Sequence, residues 1–123
     1  MRLRSDIFVA SLLRSAESRG SAGTVLRKGR TSLGSVYVVG FDRTTRSASL
    51  WAPAPQALVE MDGDARQAPV SKFEERLTEV VESEISAFIE KEASFDDDIW
   101  VVELECAPQV IRGLIDVVDA PRR

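Results

Sequence analysis

The sequence contains no histidine, and that absence removes more chemistry than any residue present suggests. A Ser-His-Asp or Cys-His nucleophilic arrangement cannot be assembled, and the commonest zinc and non-haem iron ligand sets are missing. Cys106 is the lone cysteine, so one chain can form neither an internal disulfide nor a cysteine-rich metal site, which fits a reducing compartment. Long apolar runs are lacking too, with nothing near the ~20 residues that span a bilayer. Arg2 and Arg4 ahead of the apolar residues 7–10 resemble the start of a signal peptide. However, Asp6 interrupts the approach, Arg14 ends the run, and no small-residue cleavage site follows. We read the N-terminus as mature structure and the setting as cytoplasmic, with no membrane partner. No G-x-G-x-x-G loop, Walker-type loop or C-x-x-C pair occurs, so no cofactor is expected.

What is present suits one folded domain over residues 1–123. The chain is 44% hydrophobic and 29% charged, and a chain of this length buries a core without disulfide or metal staples. The net charge of −4 conceals a polarity along the chain. Residues 1–30 carry seven basic against two acidic side chains, +5; residues 31–52 carry two against one, +1; residues 53–123 carry seven against seventeen, −10. The front is basic and the back acidic.

The first helix is expected over residues 6–19. Ser5 is placed as its N-cap, Val9, Leu12, Leu13 and Ala16 share one face, and Gly20 is its stop. Strands are expected at 24–28 and 35–41, the second apolar on both faces and therefore central. A turn over 42–47 leads to a return strand at 48–51, which Pro53 and Pro55 end. Residues 56–61 are expected to pair briefly. Residues 72–77 fit two readings, a helix continuous to 92 with a capping box at Ser71 and Glu74, or a strand followed by a helix over 79–92 capped by Thr78. Ile99-Trp100-Val101-Val102-Glu103-Leu104-Glu105 is a β-branched and aromatic run behind an acidic turn, the signature of a buried central strand. Residues 110–118 form an apolar tail that covers the sheet. The sum is an α+β fold, a mainly antiparallel sheet of four to five strands packed with two helices.

Several pieces recur in an order that resembles a known family. Residues Met1-Arg2-Leu3-Arg4-Ser5-Asp6-Ile7, Leu12-Leu13-Arg14, Ala16-Glu17, Arg27-Lys28-Gly29, Pro53-Ala54-Pro55-Gln56, Phe95-Asp96 and Asp98-Ile99-Trp100-Val101-Val102-Glu103 together resemble the small bacterial domain-of-unknown-function family 1491. The resemblance implies a small intracellular bacterial protein with a family-like core over 1–107 and a C-terminal extension over 108–123. It carries no activity or mechanism, and it favours the strand reading of 72–77. The chain departs from the family pattern at Asp97, where proline is usual, and at Phe8, where tryptophan is usual.

Two constellations are candidate sites. Asp96, Asp97 and Asp98, with Glu103 and Glu105 near in sequence, offer the carboxylate oxygens a hard divalent cation wants. Adjacent side chains on an extended strand point to opposite faces, so a solvated turn is the plainer reading, and no metal is assigned. Arg2, Arg4, Arg27, Lys28, Arg30, Arg43 and Arg46 are candidates for one partner-binding surface, meeting the acidic half of a second copy or of another protein. The function expected is a non-enzymatic cytosolic protein-interaction module. An alternative is nucleic-acid backbone binding by the same basic residues with Tyr37, Phe41 and Trp51 stacking bases, against which a pI near 4.9 counts. A third is a small-molecule or enzymatic domain whose chemistry uses no histidine.

Overall fold

The structure, a computed structural model, describes residues 4–55 and 72–118. Helix α1 (Ser5–Ser18) buries Val9, Leu12 and Ala16, one stripe at helical spacing. It stops where Gly20, at φ 82°, enters the left-handed region. Gly20 N–H then donates to Glu17 O and Ser21 N–H to Ala16 O, which satisfies the last carbonyls. The start differs from expectation. Arg4 holds the N-cap position without a side-chain cap, while Ser5 is the first helical residue and is fully buried. Its hydroxyl donates to Gly34 O and its N–H to Ser32 O at 2.8 Å. Ser5 therefore ties a distant loop to the helix instead of capping it.

The strands are β1 (Gly23–Arg27), β2 (Ser35–Asp42), β3 (Ser47–Pro53), β4 (Phe73–Val80) and β5 (Ile99–Leu104). They form one sheet in the order β1-β5-β2-β3-β4. Only β5 with β2 is parallel, in register from Ser35 opposite Ile99 to Gly40 opposite Leu104; the other three pairings are antiparallel. The acidic turn thus does feed an interior strand. Alternate residues of β5 face opposite layers. Trp100, Val102 and Leu104 join α1, and Ile99 and Val101 join α2 (Glu82–Phe95) on the other face. Among the described residues the architecture is α+β, with helices on both faces of an open, mostly antiparallel sheet.

Residues 73–80 are strand, which settles the two readings. Val81 is the N-cap of α2, and Thr78, inside β4, donates its hydroxyl to Glu75 at 2.8 Å. The strand wins because it buries Phe73 and pairs Leu77 with Leu50, at the cost of two irregularities in its register with β3. At one of these Glu79 takes φ 51°, and its N–H donates to the hydroxyl of the buried Ser49 at 2.9 Å. Ser71 and the expected pairing at 56–61 lie outside the described residues.

A short third helix, α3 (Pro108–Arg112), follows β5 on the α1 side. Ile111 is fully buried there and Ile115 nearly so. The chain then runs beside the start of β4, where Phe73 N–H donates to Asp116 O and Val118 N–H to Phe73 O, both at 2.8 Å. Glu75 links these parts. Its carboxylate accepts from Arg112 at 2.9 and 2.8 Å and from the indole N–H of the buried Trp51 at 3.0 Å.

Candidate interaction groove

Helix α2 packs on β2, β3 and the near side of β5, and leaves β1 uncovered on that face. Between α2 and β1 lie two adjoining hollows of about 280 and 290 Å3, both bordered by Leu26, Ile85 and Ser86. One is floored by Val39 and Ala48 and lined by Glu82 and Glu103. The other passes Val101, Ile89, Glu90 and Arg27. Leu26 reaches the groove because β1 carries a bulge. Val25 pairs with Val102 and Arg27 with Val101, which leaves Leu26 as the extra residue. Val25 is 39% and Leu26 53% exposed.

Strand β1 is an edge of the sheet, and no described strand pairs with its outer side. The phase of its hydrogen bonding follows from one contact, Glu105 N–H donating to Ala22 O at 2.9 Å. Antiparallel pairs alternate between residues that bond across the ladder and residues that face away. Ala22 and Thr24 therefore turn their backbone groups toward β5, and Gly23 and Val25 turn theirs outward. A short edge strand whose outward backbone groups have no partner among the described residues is a template for another strand.

The electrostatics of the groove centre on Glu103. Burial pushes its carboxyl above the usual range, and the negative charges of Glu82 and Glu105 add to the effect. No side-chain hydrogen bond between described residues orients a base or nucleophile against it. The arrangement can hold a proton or attract a cation: Glu82 and Glu103 line one hollow, and among the described residues no side-chain hydrogen bond orients either carboxylate.

The basic residues expected to share a surface are divided. Arg4, Arg27, Lys28 and Arg30 lie at the end where β2 and β5 begin. There Arg4 pairs with Asp6 at 3.2 Å, Arg27 donates to Asp97 O at 3.3 Å, and Arg30 meets the Asp97 carboxylate at 3.3 Å. Arg43 and Arg46 sit in the β2–β3 turn at the other end, a strand length or roughly 25 Å away, with Arg43 3.6 Å from Glu105. Arg2 lies outside the described residues. Tyr37 and Trp51 are buried, and the Tyr37 hydroxyl donates to Glu92 at 2.8 Å. Phe41 is half-buried, so these rings offer no open stacking platform.

The acidic turn is a clasp. The Asp98 carboxylate accepts from Arg30 N–H at 2.7 Å, Thr31 N–H at 3.0 Å and the Thr31 hydroxyl at 2.6 Å. These bonds, led by the Thr31 hydroxyl, hold its carboxyl below the usual range. Asp96 accepts from Asp98 N–H at 3.0 Å, and Asp97 pairs with Arg30. The three carboxylates are thus spent on separate partners, and among the described residues no group of three cysteines or carboxylates could hold a metal ion. The clasp fits tightly, since a Cβ on Gly34 would lie 2.5 Å from Asp98 O. Cys106 is half-buried, and burial pushes its thiol up, away from reactivity. Among the described residues no helix is long and apolar enough to cross a membrane.

The groove escaped the reading of the chain because its signals are weak ones. Glu103 looked like a possible member of the acidic turn, and a bulge at Leu26 has no sequence mark. The hint available was a glutamate in the middle of an apolar strand, where a charge must find a cavity or a partner.

Comparison with known proteins places the chain. The model of the family described as "Protein of unknown function (DUF1491)" matches residues 3–110. A protein of A. tumefaciens, solved in solution, is 36% identical, with all of both chains covered and a TM-score of 0.80. A DUF1491 family protein from Caulobacter crescentus CB15 is similar in two structures. Its crystal structure is 34% identical over 85% of this chain and 88% of that one, at a TM-score of 0.67. Its solution structure is 33% identical over 97% and 99%, at 0.73. No curated protein matches. The chain belongs to the DUF1491 family, a bacterial family of unknown function.

Proposed function

We propose that the protein is a non-enzymatic, cytoplasmic protein-interaction module that accepts an extended segment of a partner protein along the free edge of β1. The observation that supports this reading is the outward-facing backbone of Gly23 and Val25 beside a groove that α2 leaves open. Main-chain hydrogen bonds to such an edge supply affinity, and flanking hollows select alternate side chains of the added strand. Glu82 and Glu103 share the hollow, and among the described residues no side-chain hydrogen bond orients either, which favours binding over catalysis. The lone half-buried cysteine accords with a reducing compartment.

The variant Val25→Pro tests it. The Val25 N–H points away from β5, so proline there spares the β1–β5 ladder while blocking strand addition. Wild type and variant are used as bait in lysate of the producing cell at low and high salt. Retained proteins and nucleic acid are then quantified. Proteins held by wild type and lost with Val25→Pro support the reading. Equal retention by both refutes it, and retained nucleic acid promotes the alternative.

A further inference from the structure

We propose that the groove beside β1 is a receptor for one lysine or arginine side chain of the added strand, with Glu103 as the anion that receives its head group. The inference rests on the strand-addition reading and adds the chemistry of the partner. Thr24 is the cross-strand neighbour of Glu103, so both side chains project on the α2 face. A residue of an incoming strand opposite Thr24 projects on that face too, about two strand spacings, ~9.6 Å, from β5. Thr24 is short. An extended lysine or arginine passes over it, and the Glu103 side chain spans the remaining gap.

The walls suit such a side chain along its length. Leu26 and Ile85 present apolar surface for the methylene stem, and the exposed Glu82 adds a second negative charge to the lining. A carboxylate whose ionisation is opposed by burial and by two neighbouring carboxylates gains more from a cation than a solvated one does. A glutamate side chain on the partner would meet two like charges in the lining, Glu82 and Glu103. The site thus selects for one sign of charge and against the other.

The probes are three nine-residue peptides of alternating threonine and valine, blocked at both ends, with lysine, glutamine or glutamate as the central residue. They are titrated into the 15N-labelled full chain, and the amide signals of Gly23–Arg27 report docking at β1. The expected result is at least tenfold tighter binding of the lysine peptide than of the glutamine peptide, weaker binding still for glutamate, and collapse of the lysine preference to near one in Glu103→Gln. Amide spectra of Glu103→Gln away from the groove verify its fold, and Glu82→Gln gives a smaller loss of preference. Equal affinity of all three peptides, with β1 amides responding, overturns cation selection and leaves strand addition standing. No response of the β1 amides to any peptide at millimolar concentration overturns both.

Discussion

Replacement of Ile111 by alanine asks whether the segment after β5 belongs to the fold or merely follows it. Ile111 is wholly buried in the cluster that contains Val38, Trp51, Trp100 and Leu104. The substitution removes three carbons, a transfer loss of about 2.4 kcal/mol at ~0.8 kcal/mol per methylene, and a cavity adds to it. A loss of about 3 kcal/mol is expected, inside the ~2–5 kcal/mol range for such truncations. A chain of 123 residues has an unfolding entropy near 0.26 kcal/mol/K, so its Tm falls by about 12 °C. Native stability of roughly 6–18 kcal/mol leaves the variant folded. Urea denaturation followed by tryptophan fluorescence measures it directly, because Trp51 and Trp100 share the cluster. Val110→Ala, half-buried on the same short helix, is the control, with about 1 kcal/mol or less expected. A loss below about 1 kcal/mol for Ile111→Ala, or equal losses for the two, would refute the placement of α3 in the core.

Three further outcomes follow from the same contacts. Arg112, ahead of Thr78 and Trp51, holds the Glu75 carboxyl below its usual range. Its stabilising contribution is therefore present above the ordinary glutamate pKa and lost as pH falls through the lower folded value. Glu75→Gln should weaken the fold near neutral pH and converge with wild type in acid, as read by urea titrations at both; parallel curves would contradict this. Glu103 has the opposite sign. Its raised carboxyl binds a proton more tightly folded than unfolded, so its ionisation costs stability as pH rises from the ordinary value through the folded one. Glu103→Gln should equal or exceed wild type in stability at neutral pH, and a marked loss there would show that the charge is compensated. Asp98→Ala should speed hydrogen exchange at the Arg30 and Thr31 amides, its direct donors, while amides of β3 keep their protection. Unchanged exchange at Arg30 and Thr31 would mean that the clasp does not hold the loop.

Much of the fold was legible where local pattern and burial agree. The double-faced apolar run in β2 and the β-branched run in β5 could only be interior strands, because each face of a central strand must be covered. The stripe on α1 and the Gly20 stop are equally local signals. Residues 72–77 were ambiguous because Phe73 and Leu77 satisfy both helical and strand spacing; pairing of Leu77 with Leu50 and burial of Phe73 decided the matter. Ser5 looked like a cap by residue type, yet its partner Gly34 lies twenty-nine positions away.

By itself, the chain's composition determined which chemistries are unavailable, since residues that are missing cannot be supplied by folding. Its periodicity determined the class of fold, because hydrophobic spacing constrains which faces can be buried. The tertiary structure alone decided the site. It separated Arg43 and Arg46 from Arg4, Arg27, Lys28 and Arg30 by the length of β2, and spent the acidic turn on binding the loop before β2. It also opened a groove where α2 stops short of a bulged edge. Those outcomes depend on long-range packing and strand register, and a linear charge pattern records neither.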